Sequence, residues 1–105
     1  MTSKLKIITR EKSNSVPDPK VSPPHPGEIL LGYYLKELGW SQAELANEIG
    51  CAYVKVNEIV NGRRGISAAF ALDLERVLGT RPQMWLSLQA SFDIWHARKK
   101  IRSAA

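Results

Sequence analysis

The sequence predicts an all-α protein, a bundle of five helices that follows a flexible N-terminal arm. Apolar residues recur at intervals of three and four from residue 26 onward, and a glycine follows each of the first four apolar segments. No segment in that region alternates convincingly as an interior strand. Apolar residues make up 44% of the 105 residues, which is enough for one small core. We therefore expect an arm over 1–24, a helical domain over 25–80 and a C-terminal helix over 81–105.

The arm is rich in proline, serine and charge between residues 12 and 26, which read KSNSVPDPKVSPPHP. Such a composition cannot form a core and favours a flexible or polyproline-like chain. Residues 5–9, LKIIT, could form a short strand if a partner supplied a sheet edge.

The first two helices carry clear boundary signals. Helix one is expected over about 26–38, with Pro26 in its first turn and an inner face of Ile29, Leu30, Tyr34 and Leu38. Helix two is expected to open with the capping box Ser41-Gln42-Ala43-Glu44 and to end at Gly50.

The last three helices are bounded in similar ways. Helix three is expected over about 52–61, before the left-handed cap signal Asn61-Gly62. Helix four is expected to run from the N-cap Ser67 to Leu78. Helix five is expected to open with a second capping-box pattern, Thr80-Arg81-Pro82-Gln83, and to reach about residue 100.

The connection between helices two and three is only a few residues long, so that the helices must cross steeply. Ala46 is small where the next helix crosses, and Gly50 permits a positive φ in the turn. Inward-facing apolar residues then follow at fixed offsets: Leu45, Ile49, Val56 and Ile59. This spacing predicts a helix-turn-helix, whose usual partner is double-stranded DNA.

The outward face of helix three would then meet base edges in the major groove. Base contacts are expected from Tyr53, Val54, Lys55 and Asn57, whereas the charge of Glu58 opposes phosphate unless it meets a cytosine amino group or pairs with an arginine. Phosphate contacts are expected from Gln42, at the start of helix two, and from Asn61, Arg63 and Arg64. The alternative is that some residues of this face are exposed to solvent and do not contact DNA.

Charge and composition narrow the function classes. The arm has five basic and two acidic residues and a net charge of +3. Residues 25–80 have five basic and seven acidic residues, hence −2, and residues 81–105 have five basic residues and one acidic residue, hence +4. Basic ends suit a polyanionic partner. The single Cys51 fits a reducing cytoplasm, and we expect a cytoplasmic protein without a signal peptide or membrane span. No nucleophile–base pair, metal-ligand spacing or phosphate loop predicts an enzyme, a metal site or a cofactor.

Several blocks of the chain resemble the HigA/VapI family of antitoxins, which belong to the phage-repressor-like helix-turn-helix proteins. These blocks are HPGEILLGYYLKELGWSQAELANEIG, VNEIVNGRRGIS, ALDLERVLGT and PQMWLSLQASFDIW, and the resemblance covers about residues 25–97. It implies a homodimer that represses its own operon and neutralises a HigB-type toxin, a RelE-like ribonuclease that cleaves mRNA. It also implies DNA contacts at Gln42, Tyr53, Lys55, Asn57 and the Arg63-Arg64 loop. The chain departs from the family in its long arm and in the uncharged Leu31 and Tyr33.

Two further surfaces are expected to bind proteins. The stripe Trp85, Leu88, Phe92 and Trp95 has 3-4-3 spacing and predicts a dimer interface on helix five, although its first two residues could instead pack on their own domain. Leu31 and Tyr33, with the arm, are the expected toxin-binding surface. Two alternatives stay open: a regulator without a toxin partner, and an interaction module whose helix-turn-helix no longer binds DNA.

Overall fold

A computed structural model describes residues 20–104, and over this range the chain forms five helices and no strand. The first helix, α1, has three consecutive segments, namely an α-helical Pro26–Ile29, a π-helical Leu30–Leu35 and an α-helical Lys36–Leu38. The others are α-helices: α2 Gln42–Ile49, α3 Tyr53–Val60, α4 Ala68–Leu78 and α5 Pro82–Ala104. The predicted fold class is confirmed. Most of the arm, including LKIIT, lies outside the described residues.

Helix α1 begins with a capping box that its sequence HPGE encodes. The ring Nδ1 of His25 accepts a hydrogen bond from the backbone N–H of Gly27 at 2.9 Å. The backbone N–H of His25 in turn donates to Glu28 Oε2 at 3.3 Å. Pro26 occupies the first turn, where no backbone donor is needed. His25, Pro26 and Gly27 are buried, so this cap lies inside the domain.

The π-helical segment changes which residues of α1 face the core. A π turn holds one residue more than an α turn, so the inward positions after it move along the sequence by one. Leu30 and Leu35 are buried, whereas Leu38 is 49% exposed. The prediction that Leu38 belongs to the inner face was therefore wrong, and Leu35 takes its place.

The core draws on every helix. It consists of Leu30 and Leu35 of α1, apolar residues of α2 to α4, the loop residue Ile66 and Trp85 of α5. The capping signals that separate α2, α3 and α4 act as expected: Ser41 and Ser67 accept hydrogen bonds from the N–H groups of Glu44 and Phe70. Gly50, Gly62 and Gly79 follow helix ends with φ of +87°, +75° and +77°.

The start of α5 differs from its prediction. Thr80 does not act as the expected cap, because its Oγ1 accepts the indole N–H of Trp85 at 2.7 Å and the helix begins at Pro82. Trp85 has no exposed surface, and its ring centroid lies 5.3 Å from that of Tyr34. The placement of Trp85 in a dimer interface was therefore wrong. A large aromatic ring near the start of α5 fills the core of its own domain.

Candidate nucleic-acid interface

Helices α2 and α3 form the predicted helix-turn-helix. Gly50, with its positive φ, ends α2, and only three residues separate Ile49 from Tyr53. The predicted inward residues are all buried: Leu45, Ala46, Ile49, Val56 and Ile59. Because these side chains fix the rotation of α3 about its axis, the outward face of α3 is determined as well.

The N-terminal turn of α3 is open to solvent. Tyr53 and Val54 are exposed, Val54 by 59%, and the N-cap residue Ala52 provides no side-chain hydrogen bond to the helix end. Exposed side chains beside an uncapped helix N-terminus suit a groove lined with base edges and flanked by phosphates. The tip of α3 therefore has the geometry that a recognition helix needs.

A polar cluster connects α2 with α3 on this side. The amide nitrogen Nδ2 of Asn57 donates to Gln42 Oε1 at 3.0 Å and to the Tyr53 hydroxyl at 3.4 Å. Gln42 is the first residue of α2, so the bond ties the beginning of one helix to the middle of the other. Three of the predicted DNA-contacting residues thus lie together, with their orientations fixed before any partner binds.

Lys55 lies apart from this cluster. Its side chain is half-buried, and its Nζ atom is 5.3 Å from the ring centroid of Phe70 in α4. A flexible lysine held by one cation–π contact at this distance still reaches outward at small cost. The structure places Lys55 on the flank of α3 that faces α4.

The loop after α3 folds back onto the helix. Gly62 turns the chain, and the backbone N–H of Arg63 donates to the Glu58 carbonyl at 2.8 Å. Asn61 Nδ2 donates to the Asn57 carbonyl at 2.9 Å. Both Arg63 and Arg64 are exposed, so the loop presents two guanidinium groups next to the outward face of α3.

Glu58 provides a partner for one of these arginines. Its Oε1 accepts a hydrogen bond from Arg64 Nε at 2.8 Å and lies 2.7 Å from Arg64 Nη2 in an ion pair. An arginine partner was one of two alternatives expected for Glu58, and the structure identifies it as Arg64. The sequence contains a signal for this pairing. A helix that ends at Asn61-Gly62 turns the chain back, so that Arg64, six residues after Glu58, lies beside it.

Gln89 of α5 anchors the same loop from the other side. Its Oε1 accepts the backbone N–H of Ile66 at 2.8 Å, and its Nε2 donates to Asp93 at 3.0 Å. A Cβ added to Gly65 would lie 3.0 Å from the Gln89 amide carbon, which shows how closely the loop packs on α5. No local pattern indicated Gln89, because its contact spans 23 residues of the chain.

His25 joins α1, the loop and α5. Its ring packs edge-on against Phe92, with centroids 4.9 Å apart, and a Cβ on Gly62 would lie 3.8 Å from it. Burial lowers the pKa of His25, although the charges of Glu28 and Asp93 act in the opposite direction. The neutral ring is also the form whose Nδ1 can accept the hydrogen bond from Gly27.

The surface predicted to bind a toxin is partly described. Leu31 and Tyr33 are both exposed on the π-helical segment of α1, Tyr33 by 58%. Of the arm, residues 20–24 are described, and within them Ser22 Oγ is hydrogen-bonded to His96 Nε2 of α5 at 3.2 Å. The arm therefore meets the domain at α5.

The remaining stripe residues lie along α5. Leu88 packs partly against the core, and Phe92 contacts the ring of His25 edge-on and that of His96 at a tilt. Trp95 is half-buried, with Lys99 Nζ 5.4 Å from its ring centroid. The exposed large apolar residues of α5 are Ile94 and Ile101, which lie seven residues apart and hence on one face.

Within residues 20–104, no helix is long and apolar enough to cross a membrane. The same residues contain no group of three or more His, Cys, Asp or Glu side chains that could hold a metal ion.

Comparison with known proteins gives consistent matches. Residues 31–85 match a family model described as helix-turn-helix. Virulence-associated protein I of Dichelobacter nodosus is 42% identical over 79 residues, which cover 75% of this chain and 73% of the relative.

Solved structures match over a similar extent. Antitoxin GraA superimposes with a TM-score of 0.73 at 45% identity, covering 76% of this chain and 86% of its own. The Pseudomonas aeruginosa antitoxin HigA, solved with the higBA promoter, gives a TM-score of 0.74 at 38% identity and covers 78% and 89%.

Proposed function

The chain belongs to the helix-turn-helix family, in the group that includes HigA antitoxins and virulence-associated protein I, and from this premise we propose that it is an antitoxin that represses its own operon. The observation that carries the DNA-binding part is the polar cluster of Gln42, Tyr53 and Asn57 beside the open N-terminus of α3. Antitoxins of known structure that resemble this chain, GraA and HigA, were solved with operator or promoter DNA.

In the proposed complex, α3 lies in the major groove with its N-terminal turn toward the bases. Tyr53, Val54, Lys55 and Asn57 contact base edges. Asn57 does so with its carbonyl Oδ1, because its amide nitrogen already donates to Gln42 and Tyr53. An acceptor alone can pair with the amino group of adenine or cytosine.

Phosphate contacts flank this helix. The DNA backbones on either side of the groove are contacted by Gln42, at the beginning of α2, and by Asn61, Arg63 and Arg64. Such contacts hold the protein in place without selecting a sequence. Gln89 and Glu58 position the arginine loop for this task.

A single helix-turn-helix contacts too few base pairs for a unique operator, and a two-fold dimer is the usual solution. We therefore propose that a homodimer binds an inverted repeat with half-sites about one helical turn apart, or a multiple of it.

Titration of operator DNA at several salt concentrations tests this assignment. Arg63→Ala is expected to weaken binding to all sequences alike and to reduce the slope of log K against log salt by about one. Tyr53→Ala and Asn57→Ala are expected to change the preference at particular base pairs, by about 1–3 kcal/mol. Arg81→Ala, which removes an exposed arginine at the start of α5, is the charge-matched control. Footprints that none of the first three substitutions alters would refute the assigned face.

The antitoxin part of the proposal concerns a second partner, a HigB-type, RelE-like toxin that cleaves mRNA. Its binding surface on this chain is proposed at Leu31 and Tyr33, together with the arm over 1–24. Exposed apolar residues grouped on a helix often mark an interface. DNA would occupy a different surface, at α3 and the loop that carries Arg63 and Arg64.

Co-purification with the product of the neighbouring small reading frame separates an antitoxin from a regulator that has no toxin. The intact chain is expected to retain the toxin and abolish its RNA cleavage. Leu31→Glu/Tyr33→Glu and a deletion of residues 1–22 are expected to lose it, whereas Leu72→Glu, an exposed apolar position of α4, retains it. Full neutralisation by both altered forms, each folded and bound to operator, would place the toxin elsewhere.

A further inference from the structure

The pair formed by Glu58 and Arg64 lies where a carboxylate is least expected, on the side of α3 that would face DNA. Glu58 is four residues after the exposed Val54, so the two side chains share one face of the helix. An uncompensated carboxylate there would repel the phosphates of both strands. The structure shows how its charge is compensated, because the Arg64 guanidinium forms an ion pair with it and donates a hydrogen bond from Nε.

Two nitrogen atoms of Arg64 converge on the same oxygen of Glu58. Nε donates to Oε1 at 2.8 Å, and Nη2 lies 2.7 Å from the same oxygen. Among the residues that the structure describes, no group donates to Oε2. The carboxylate is thus held in one orientation by one of its oxygens and retains the other as an acceptor.

The backbone of Glu58 reinforces this arrangement. Its carbonyl accepts the N–H of Arg63 at 2.8 Å, so main chain and side chain of one residue bind two successive residues of the loop. Gln89 fixes the far end of that loop through Ile66. Arg64 is therefore positioned from both sides, and it positions Glu58 in return.

We propose that Glu58 is a specificity-determining residue, which selects cytosine through Oε2 while Arg64 holds and neutralises its carboxylate. A carboxylate is an acceptor only, and in the major groove cytosine presents the N4 amino group as a donor. Adenine offers an amino group beside the acceptor N7, which repels a carboxylate, and guanine offers two acceptors. The inference rests on the proposed DNA binding by α3.

Selection from a random-core DNA duplex pool with the full-length chain tests the assignment. The intact protein is expected to require a C·G pair at one symmetric position of each half-site. Glu58→Gln is expected to lower the preference for cytosine there by about five- to a hundredfold and to admit adenine, which glutamine contacts in a bidentate manner. Arg64→Ala is expected to weaken binding to every sequence and to lower the preference for cytosine only in part, because Oε2 still accepts but Arg64 no longer holds the carboxylate in place.

Two controls distinguish base recognition by Glu58 from a purely structural role in supporting the loop. Glu75→Gln removes the same charge from an exposed position of α4 and is expected to leave every base preference unchanged. Circular dichroism confirms that each variant remains folded. If Glu58→Gln and Glu58→Ala weaken all sequences in equal proportion, the pair only braces the loop and the inference is overturned, while the proposed function stands. If the intact protein selects no sequence at all, both fail.

Discussion

Gly27 packs directly against the backbone carbonyl of Ile59, so closely that a Cβ built on Gly27 would lie 1.8 Å from that oxygen. This contact joins the beginning of α1 to the end of α3 and explains the glycine in the HPGE segment. No side chain fits there, because the obstacle is backbone and cannot rotate away.

Gly27→Ala is therefore expected to lower the free energy of unfolding by about 1–3 kcal/mol or more, as overpacked core substitutions do. Urea denaturation measures the change. Gly32→Ala is the matched control, because it lies in the same helix with no heavy atom within 4 Å of the added Cβ. Alanine there is expected to be neutral or to stabilise by up to about 1 kcal/mol. Equal stability of the two variants would contradict the close packing of α1 on α3.

The buried cap at His25 predicts a dependence of stability on pH. Burial lowers the pKa of His25 in the folded chain below the 6.5 of an ordinary histidine, while the charges of Glu28 and Asp93 raise it in part. The unfolded chain therefore binds the proton more readily. This contribution to stability is complete above about pH 6.5 and is lost as pH falls through the lower pKa of the folded state.

His25→Asn is expected to flatten this part of the pH profile, because asparagine caps a helix without titrating. Thermal unfolding between about pH 7 and 5 measures the slope of stability against pH. This window follows from the pKa of histidine in the unfolded chain. An unchanged slope in His25→Asn would mean that His25 does not cause it.

Gln89 predicts an effect on DNA binding from a residue that is assigned no DNA contact. Gln89→Met retains the side-chain length but removes the acceptor of the Ile66 N–H and the brace on Gly65. Loss of one such hydrogen bond is expected to cost about 0.5–1.5 kcal/mol of stability. Release of the arginine loop is expected to weaken binding to all DNA sequences several-fold. Gln83→Met, at an exposed position of the same helix, should leave the affinity for DNA unchanged. If Gln89→Met bound DNA as tightly as this control, a positioning role for Gln89 would be excluded.

The sequence predicted best what local rules determine. The caps at Ser41 and Ser67 and the left-handed Gly50, Gly62 and Gly79 bounded the helices, and the inward residues of α2 and α3 followed from periodicity. The candidate DNA face could be identified for the same reason, since it is the opposite side of a helix whose buried side is known.

What the sequence did not predict depends on contacts between distant residues. The π-helical turn has no signature in single residues, yet it exchanges Leu38 for Leu35 in the core. Thr80 lost its capping role because Trp85 competes for its oxygen. An apolar stripe on α5 looks alike in sequence whether it faces its own domain or a second copy, and only packing shows that Trp85 faces inward.

Because Trp85 is buried in its own domain, we expect the dimer contact in the C-terminal half of α5. The helix has 23 residues and is thus about 34 Å long. Its exposed large apolar residues are Ile94 and Ile101, at 51% and 68%, on one face, and the half-buried Trp95 lies about 100° around the helix from Ile94. A second copy of α5 laid against this face would bury them, and two-fold symmetry would place each residue in the interface twice.

Ile94→Glu/Ile101→Glu is therefore expected to convert a dimer to a monomer at low micromolar concentration, since burying unpaired carboxylates strongly opposes association. Trp95→Ala is expected to weaken the dimer in the same direction through lost apolar area. Sedimentation velocity measures the oligomeric state, and circular dichroism shows that the fold is intact. Leu72→Glu introduces the same charge at an exposed apolar position of α4 and is expected to remain dimeric. A double variant that stays dimeric with an unchanged fold would exclude this face of α5, and dissociation of Leu72→Glu alone would move the interface to α4.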